Sequence, residues 1–207
     1  MTDILNGLNN PQREAVTTVE GPVMVIAGAG SGKTKALTHR IAYMIQEGIN
    51  PFSIMALTFT NKAAKEMKDR IMKLVDPHAA RNVWMGTFHS IFARILRQEA
   101  SLLGYTHDYT IYDTSDSNSV IKHIIKDFRL DEKIYKPNVV HARISMAKNR
   151  LQSPDMYAAD REYLMRDRFD KMMEIVRIYI EYNRRLKAAN AMDFDDLLFM
   201  TNTLFKN

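Results

Sequence analysis

The chain has 207 residues and no cysteine, which excludes disulfide bonds and any metal site built on cysteine ligands. Apolar residues make up 46% of the sequence, enough for the core of one large domain or two smaller ones, and the net charge of +5 only weakly indicates a polyanionic partner. Neither a long apolar run nor a secretory signal occurs, so we expect a cytoplasmic protein that has no membrane segment.

The first predicted helix begins at Asn10-Pro11, with Asn10 as the N-cap and Pro11 at the first helical position. Gln12 follows, and its amide offers the donor and acceptor that the Hoogsteen edge of an adenine requires. A glutamine at the start of a helix has no functional meaning by itself.

A glycine-rich turn follows an apolar stretch from Val23 to Ala27. We predict that this stretch is a buried parallel strand and that an amphipathic helix follows the turn. The turn reads Ala27-Gly28-Ala29-Gly30-Ser31-Gly32-Lys33-Thr34, with Ala27 where the phosphate-loop pattern has glycine. Glycines let backbone N–H groups point at a phosphate, Lys33 would reach the β- and γ-phosphates, and Thr34 would ligate Mg²⁺. An ordinary turn requires neither Lys33 nor Thr34, so the stretch predicts binding of a nucleoside triphosphate.

Two further strands are predicted, at Ile54–Phe59 and Val83–Met85, and each precedes a helix. Strand and helix therefore alternate three times, which indicates an α/β fold with a parallel sheet and helical crossovers. Ligands bind beyond the carboxyl ends of the strands in such sheets, where Ala27–Thr34, Thr58–Asn61 and Gly86–Ser90 should all lie.

The last two of these loops have two interpretations. Their hydroxyl groups and aromatic rings could contact the phosphates and bases of a single strand. Alternatively, Phe59 and Phe88 close the core and Thr60 and Ser90 only cap helices; for Phe88 the core interpretation is favoured.

From about Tyr105 the pattern is mostly helical, after a short strand at Tyr109–Tyr112. Helices are predicted from Thr114 or Ser115, from Pro137 to about Asn149, and from Pro154. The longest should run from about Arg161 to Lys187, with its apolar face formed by Phe169, Met172, Met173, Val176, Tyr179 and Ile180.

Two charged segments in this part are ambiguous. An acid-free stretch holds Lys133, Lys136, Arg143, Lys148 and Arg150, which could contact a nucleic-acid backbone or form a solvated face. Near the end, Asp193, Asp195 and Asp196 could hold a metal, but no apolar strand is predicted before them. An acid-rich helix N-terminus is the commoner explanation.

Five segments in this order resemble the N-terminal part of the UvrD/Rep/PcrA-type superfamily 1 DNA helicases. They are residues 8–16, 27–34, 58–64, 86–90 and 193–198. The resemblance implies a P-loop NTPase (RecA-like) motor domain that begins with residues 1–90, an inserted helical subdomain at 91–191, and a return segment toward the motor domain at 192–207.

The resemblance also implies an ATP-dependent 3′-to-5′ single-strand DNA translocase and helicase, acting in DNA repair or replication on single strands and single-strand/duplex junctions. Lys33 and Thr34 would be its catalytic residues, Gln12 would bind adenine, and Ala27–Thr34 would hold ATP and Mg²⁺. The residues that would contact single-stranded DNA are Phe59, Thr60, Asn61, Thr87, Phe88 and His89.

The family's Mg²⁺-binding Asp-Glu motif, its arginine finger and its second motor domain have no counterpart in this sequence. We therefore expect an N-terminal fragment that is inactive on its own. One alternative is a nucleotide- and DNA-binding module without catalysis. Another is a P-loop small-molecule kinase, which would need a lid carrying catalytic arginines, and no segment has that pattern.

Overall fold

The computed structural model describes residues 3–206, which fold as mostly helical α/β structure in two compact units. The first unit reaches Ile91 and the second starts at Phe92. Among the described residues, none of the helices has the length and apolar character needed to cross a membrane.

The first unit contains a two-stranded parallel sheet with helices before and after each strand. Its elements are α1 (Asn10–Thr17), α2 (Lys33–Gln46), β1 (Met55–Thr58), α3 (Asn61–Ile71), α4 (Pro77–Asn82), β2 (Trp84–Thr87) and the start of α5 (Phe88–Gln98). Strands β1 and β2 pair so that Thr58 lies opposite Thr87. The core lies between the sheet and the helices and contains Ile41, Ile54, Ala56, Met67, Ile71, Ala80 and Val83.

The second unit is helical apart from two short parallel strands. After α5 its elements are β3 (Thr110–Tyr112), α6 (Thr114–Asp127), α7 (Pro137–Asn149), α8 (Pro154–Ala159), α9 (Arg161–Phe169), α10 (Ile175–Ala188), β4 (Ala191–Asp193) and α11 (Phe194–Lys206). Strand β3 pairs with β4, with Ile111 opposite Met192. Seven buried tyrosines belong to the two cores of this unit: Tyr105, Tyr109, Tyr135, Tyr157, Tyr163, Tyr179 and Tyr182.

The apolar stretch before the glycine-rich turn is not the buried strand that the sequence predicts. Residues 23–27 form no strand, and Val23, Met24, Val25 and Ile26 are exposed. A strand is stabilised by backbone hydrogen bonds to a neighbour, and the sheet of the first unit consists of β1 and β2. High β-propensity alone does not replace that neighbour.

The longest predicted helix is two helices, because a Schellman motif ends α9. The N–H of Met172 donates to Asp167 O (2.7 Å) and the N–H of Lys171 to Arg168 O (3.1 Å), while Lys171 has a left-handed φ of 58°. Glycine usually occupies that position, so the sequence carried no stop signal. Phe169, Met173 and Ile180 are consequently exposed, whereas Met172 and Tyr179 are buried as predicted.

Two helix caps lie one residue earlier than predicted. Asn9, not Asn10, caps α1: its side chain accepts from the N–H of Gln12, and the Gln12 side chain accepts from the N–H of Asn9. Asp113, not Thr114 or Ser115, caps α6 in the same reciprocal way with Asp116. A strand, β4, does precede the acids at Asp193, although three residues are too few to give a clear sequence pattern.

Candidate nucleotide and nucleic-acid site

The glycine-rich turn opens directly into helix α2. Gly30 and Gly32 have left-handed φ angles of 75° and 82°, and Gly32 is the N-cap of α2. A Cβ atom at Gly32 would lie 2.7 Å from Gln12 Nε2, so this position needs glycine both for its backbone angle and for the close approach of α1. The turn therefore presents the N–H groups and positive dipole end of α2 to an anion.

Lys33 and Thr34 are the first two residues of α2, and both side chains are exposed. The Lys33 ammonium group donates to Ala27 O (2.9 Å) and Gly28 O (2.6 Å). Its charge therefore lies over the turn, although its side chain is accessible to solvent. As the motif predicts, the structure places the Lys33 ammonium group and the Thr34 hydroxyl next to the glycine-rich turn.

Gln12 contacts the turn directly. Its Nε2 donates to Ser31 O (2.9 Å), while its Oε1 accepts from the N–H of Asn9 (3.2 Å). Gln12 thereby joins the start of α1 to the turn. Its role as a base-binding residue stays a prediction.

A cleft of about 230 Å³ lies between α1 and α2. Pro11, Gln12 and Ala15 of α1 line it together with residues 25–27, Ser31–Lys33 and Ala36. Apolar side chains from α1 and from residues 25–27 adjoin the Lys33 ammonium group, a combination that suits a flat base next to a charged phosphate chain. The volume and lining fit part of a nucleotide.

The two loops predicted to contact nucleic acid lie side by side, since Thr58 and Thr87 are opposite each other at the ends of β1 and β2. Phe59 is 92% exposed, which excludes the alternative that it closes the core. Its ring centroid lies 5.5 Å from that of the half-buried Phe88, with 38° between the ring planes. An aromatic pair therefore lies on the surface at this edge of the sheet.

The hydroxyl groups of these loops mainly hold the loops in place. Thr60 caps α3 by accepting from the N–H of Ala63 (3.2 Å). At the end of β2 the Thr87 hydroxyl accepts from the N–H of Ser90 (3.2 Å). The interpretation of Ser90 as a helix cap is therefore wrong, because Thr87 has that role. Asn61 is exposed at the first position of α3, and His89 is partly buried in the first turn of α5.

Gly86 sets how closely β2 approaches α5. A Cβ atom there would lie 2.6 Å from Ser90 Oγ and 3.1 Å from Ile91 Cδ1. A residue without a side chain is therefore needed where β2 packs against the first turn of α5.

In the second unit, Asp193 and Asp196 form a buried ionic cluster with Lys148. Lys148 Nζ lies 2.7 Å from Asp193 Oδ2 and 2.8 Å from Asp196 Oδ1, and the Tyr182 hydroxyl donates to Asp193 (2.8 Å). Asp193 also caps α11 through the N–H of Asp196 (2.8 Å). The acidic segment is therefore the N-terminus of helix α11, which confirms the commoner of its two explanations. No group of three or more potential metal ligands occurs in residues 3–206.

The charges of this cluster depend on one another. Burial would lower the pKa of Lys148, but the two carboxylates raise it above the usual value. Burial raises the pKa of Asp196 to about 6 despite Lys148. Burial also acts to raise the pKa of Asp193, but Lys148 outweighs it and holds the pKa of Asp193 below its usual value.

The acid-free basic stretch is not a continuous solvated face. Arg143 is buried and pairs with Asp167 and Asp170, and Lys148 belongs to the cluster described above. Neither can reach a nucleic-acid backbone, whereas Lys133, Lys136 and Arg150 are exposed. The helical spacing could have revealed this, because Lys148 lies one turn after Ile144 and two turns after Val140, both of which are buried.

The sequence matches one family model, that of the UvrD/REP helicase N-terminal domain, over residues 8–207. It is 44% identical over its whole length to the ATP-dependent DNA helicase PcrA of Staphylococcus aureus (strain Mu50) and to that of Staphylococcus epidermidis. Its identity to the PcrA helicase of Leuconostoc citreum is 42% over 99% of the chain. In each case the chain spans only 27% of the relative's length.

Proposed function

Since this chain belongs to the family of UvrD/REP helicase N-terminal domains, we propose that it is the ATP- and DNA-binding part of a 3′-to-5′ single-strand DNA translocase and helicase. We propose a RecA-like arrangement for its first unit and a role in DNA repair or replication in the bacterial cytoplasm. The small-molecule kinase alternative is set aside, because the helicase family model covers nearly the whole chain.

One observation carries the nucleotide-binding proposal: left-handed Gly30 and Gly32 open directly into α2, with Lys33 as its first residue. In this arrangement the turn's N–H groups and Lys33 hold the phosphates of ATP. The exposed Thr34 hydroxyl would be one ligand of the Mg²⁺ that accompanies the triphosphate, and this Mg²⁺ would neutralise phosphate charge. Gln12 would bind the base.

Calorimetric titration with a non-hydrolysable ATP analogue tests this proposal. We expect Lys33→Ala to weaken binding by roughly 1.5–3 kcal/mol, because a charge-assisted phosphate contact is lost. Lys73→Ala, at an exposed lysine of the same unit, is the matched control and should bind like the parent. Equal affinities for the two variants would contradict the proposed role of the loop.

For single-stranded DNA, we propose that the exposed Phe59 ring stacks on a base beside Thr60 and Asn61, with Thr87, Phe88 and His89 completing the surface. Phe59→Ala should weaken binding of a short oligothymidylate by roughly 1–3 kcal/mol, measured by fluorescence anisotropy at constant salt. Phe52→Ala removes another exposed phenylalanine from the first unit and should leave binding unchanged. Equal loss in both variants would mean that Phe59 has no specific role.

We further propose that residues 1–207 alone hydrolyse ATP very slowly. The strands β3 and β4 are each followed or ended by an acid, but Asp113 caps α6 and Asp193 is held by Lys148. Neither carboxylate is therefore offered to a nucleotide's Mg²⁺. DNA-stimulated phosphate release near the usual range of about 1–100 s⁻¹ would refute this expectation.

A further inference from the structure

Arg40 joins the end of helix α1 to helix α2. Its Nη1 donates to Ala15 O (2.6 Å) and to Thr18 O. These carbonyls belong to the last turn and the C-cap of α1, where the helix has no N–H of its own to offer them. The last turn of α1 also contains no basic residue, so Arg40 supplies the cation that stabilises the negative end of a helix dipole. One side chain of α2 therefore caps α1.

The chain that follows α1 does not hold this end of the helix. Residues 19–26 form neither helix nor strand, and within residues 3–206 they take part in no backbone–backbone hydrogen bond. In the same described part of the chain, the hydrogen bonds that link the last turn of α1 to α2 are the two from Arg40. The orientation of α1 at this end therefore depends on Arg40.

The segment before α1 is attached to the same helix. Lys35 Nζ donates to Gly7 O (2.7 Å), and His39 Nδ1 lies 2.6 Å from Ile4 O. Positions 35 and 39 are one helical turn apart and position 40 is adjacent, so these side chains and Arg40 lie on one side of α2. Helix α1 is thus held at both ends by the helix that follows the glycine-rich turn.

Gln12 lies between these two attachments. Its Nε2 donates to Ser31 O (2.9 Å), and the same nitrogen is so close to Gly32 that a Cβ atom there would be 2.7 Å away. The place of the Gln12 amide relative to the turn is therefore set by how α1 lies against α2. Hydrogen bonds weaken steeply when their distance or angle changes, so a displaced α1 would present this amide poorly to a base.

We propose that Arg40 is a positioning residue for base recognition, because by fixing α1 against α2 it holds the Gln12 amide where it selects adenine over guanine. The inference rests on the proposed function, in which the turn binds the phosphates and Gln12 binds the base. Arg40 lies seven residues after Lys33, about 10 Å along α2, so it acts through Gln12 and not on the phosphates. The turn, Lys33 and Thr34 are positioned by α2 itself and do not need Arg40.

The test uses the whole chain and compares, by calorimetry, non-hydrolysable ATP and GTP analogues with Mg²⁺–tripolyphosphate, which has no base. Arg40→Ala should lower the preference for the ATP analogue about fivefold or more, as expected when one hydrogen bond to the base is lost, and should change tripolyphosphate affinity less than about twofold. Arg81→Ala, at an exposed arginine of α4, is the matched control and should bind all three ligands like the parent.

Two further variants and one further measurement separate positioning from general destabilisation. In the Gln12→Ala background, Arg40→Ala should cause no additional change in the ATP-to-GTP ratio, since both substitutions act through the same amide. Arg40→Lys should keep most of the preference, because both bonds come from a single nitrogen and a lysine ammonium group has three donors. Amide hydrogen exchange in Arg40→Ala should accelerate in α1 and stay unchanged in α3.

Several outcomes would overturn the inference and leave the proposed nucleotide binding intact. They are an unchanged ATP-to-GTP ratio in Arg40→Ala, an equal loss of tripolyphosphate and ATP binding, a further change of the ratio in the Gln12→Ala background, and an Arg40→Lys variant that behaves like Arg40→Ala. Equal acceleration of exchange in α1 and α3 would show a general structural role and would also overturn it. A parent chain that binds neither tripolyphosphate nor the ATP analogue would instead contradict the proposed function, and one without preference for ATP would refute the role of Gln12 and the inference with it.

Discussion

Replacing Lys148 with methionine should destabilise the second unit strongly. Methionine has a similar length, so the packing around the side chain is largely kept while the charge is lost. Asp193 and Asp196 then remain buried beside each other without a cation. Two charge-assisted hydrogen bonds of about 1.5–3 kcal/mol each are removed, and breaking a buried ion pair typically costs about 3–5 kcal/mol. We expect a loss of that size in the free energy of unfolding at pH 7.

The loss should depend on pH, because protonation of one carboxyl group relieves the repulsion between the two. Burial already raises the pKa of Asp196 to about 6 in the presence of Lys148, and removing the cation raises it further. The difference between parent and variant should therefore be smaller at about pH 5 than at pH 7.

Urea unfolding followed by circular dichroism measures both effects, since most helices belong to the second unit. Trp84 is the only tryptophan and lies in the first unit, so its fluorescence reports that unit separately. Lys122→Met, at an exposed lysine of α6, should change stability by less than about 0.5 kcal/mol. A Lys148→Met loss no larger than this control, or equal losses at both pH values, would refute the argument.

Three further predictions concern single positions. Gln12→Ala should reduce the preference for ATP over GTP in competition binding, and an unchanged ratio would show that Gln12 only supports the loop. Gly86→Ala should cost about 1–3 kcal/mol in urea unfolding followed by Trp84 fluorescence, because its Cβ would overlap Ser90, whereas Gly28→Ala has open space and should not. Because the pKa of Asp196 is raised above 3.8 in the folded protein, its protonation stabilises the fold at low pH, and this contribution is lost as the pH rises through about 6. Asp196→Asn should abolish that part of the pH dependence; an unchanged profile would contradict it.

Local chemistry made much of the fold predictable. Proline at Pro137 and Pro154 correctly placed the starts of α7 and α8, and the strands β1, β2 and β3 lie within one or two residues of their predicted positions. The turn at Gly30–Thr34 has the predicted backbone because its glycines allow left-handed angles. These features depend on interactions between residues close in sequence.

Features that depend on distant partners were predicted poorly. The extended segment from Val23 needs a neighbouring strand, and composition does not reveal whether one is present. The break after Phe169 rests on Lys171 in a left-handed conformation without glycine, held beside carboxylates that pair with Arg143. Lys148 looked like a surface charge because its partners lie 45 and 48 positions away in sequence, from 148 to 193 and to 196.

In the candidate site, the sequence correctly predicted that the loops after β1 and β2 lie side by side. It also predicted that the glycine-rich turn follows a strand of the same sheet, and that was wrong because residues 23–27 form no strand. It placed Gln12 near the turn, yet its bond to Ser31 O was not foreseen, since a backbone acceptor leaves no mark in the sequence. It left Phe59 undecided between core and surface because an aromatic residue after a strand suits either. Only the packing of the neighbouring loop decides the question.

The spacing of the Phe59 and Phe88 rings limits how many bases they could accommodate. Stacked bases are about 3.4 Å apart, so a base inserted between two rings would need about 7 Å between them. The centroids are 5.5 Å apart and the planes are tilted by 38°. A base therefore cannot intercalate here and would stack only on the outer face of Phe59. The pair would thus engage one nucleotide at a time, with Phe88 fixing the orientation of the ring that meets it.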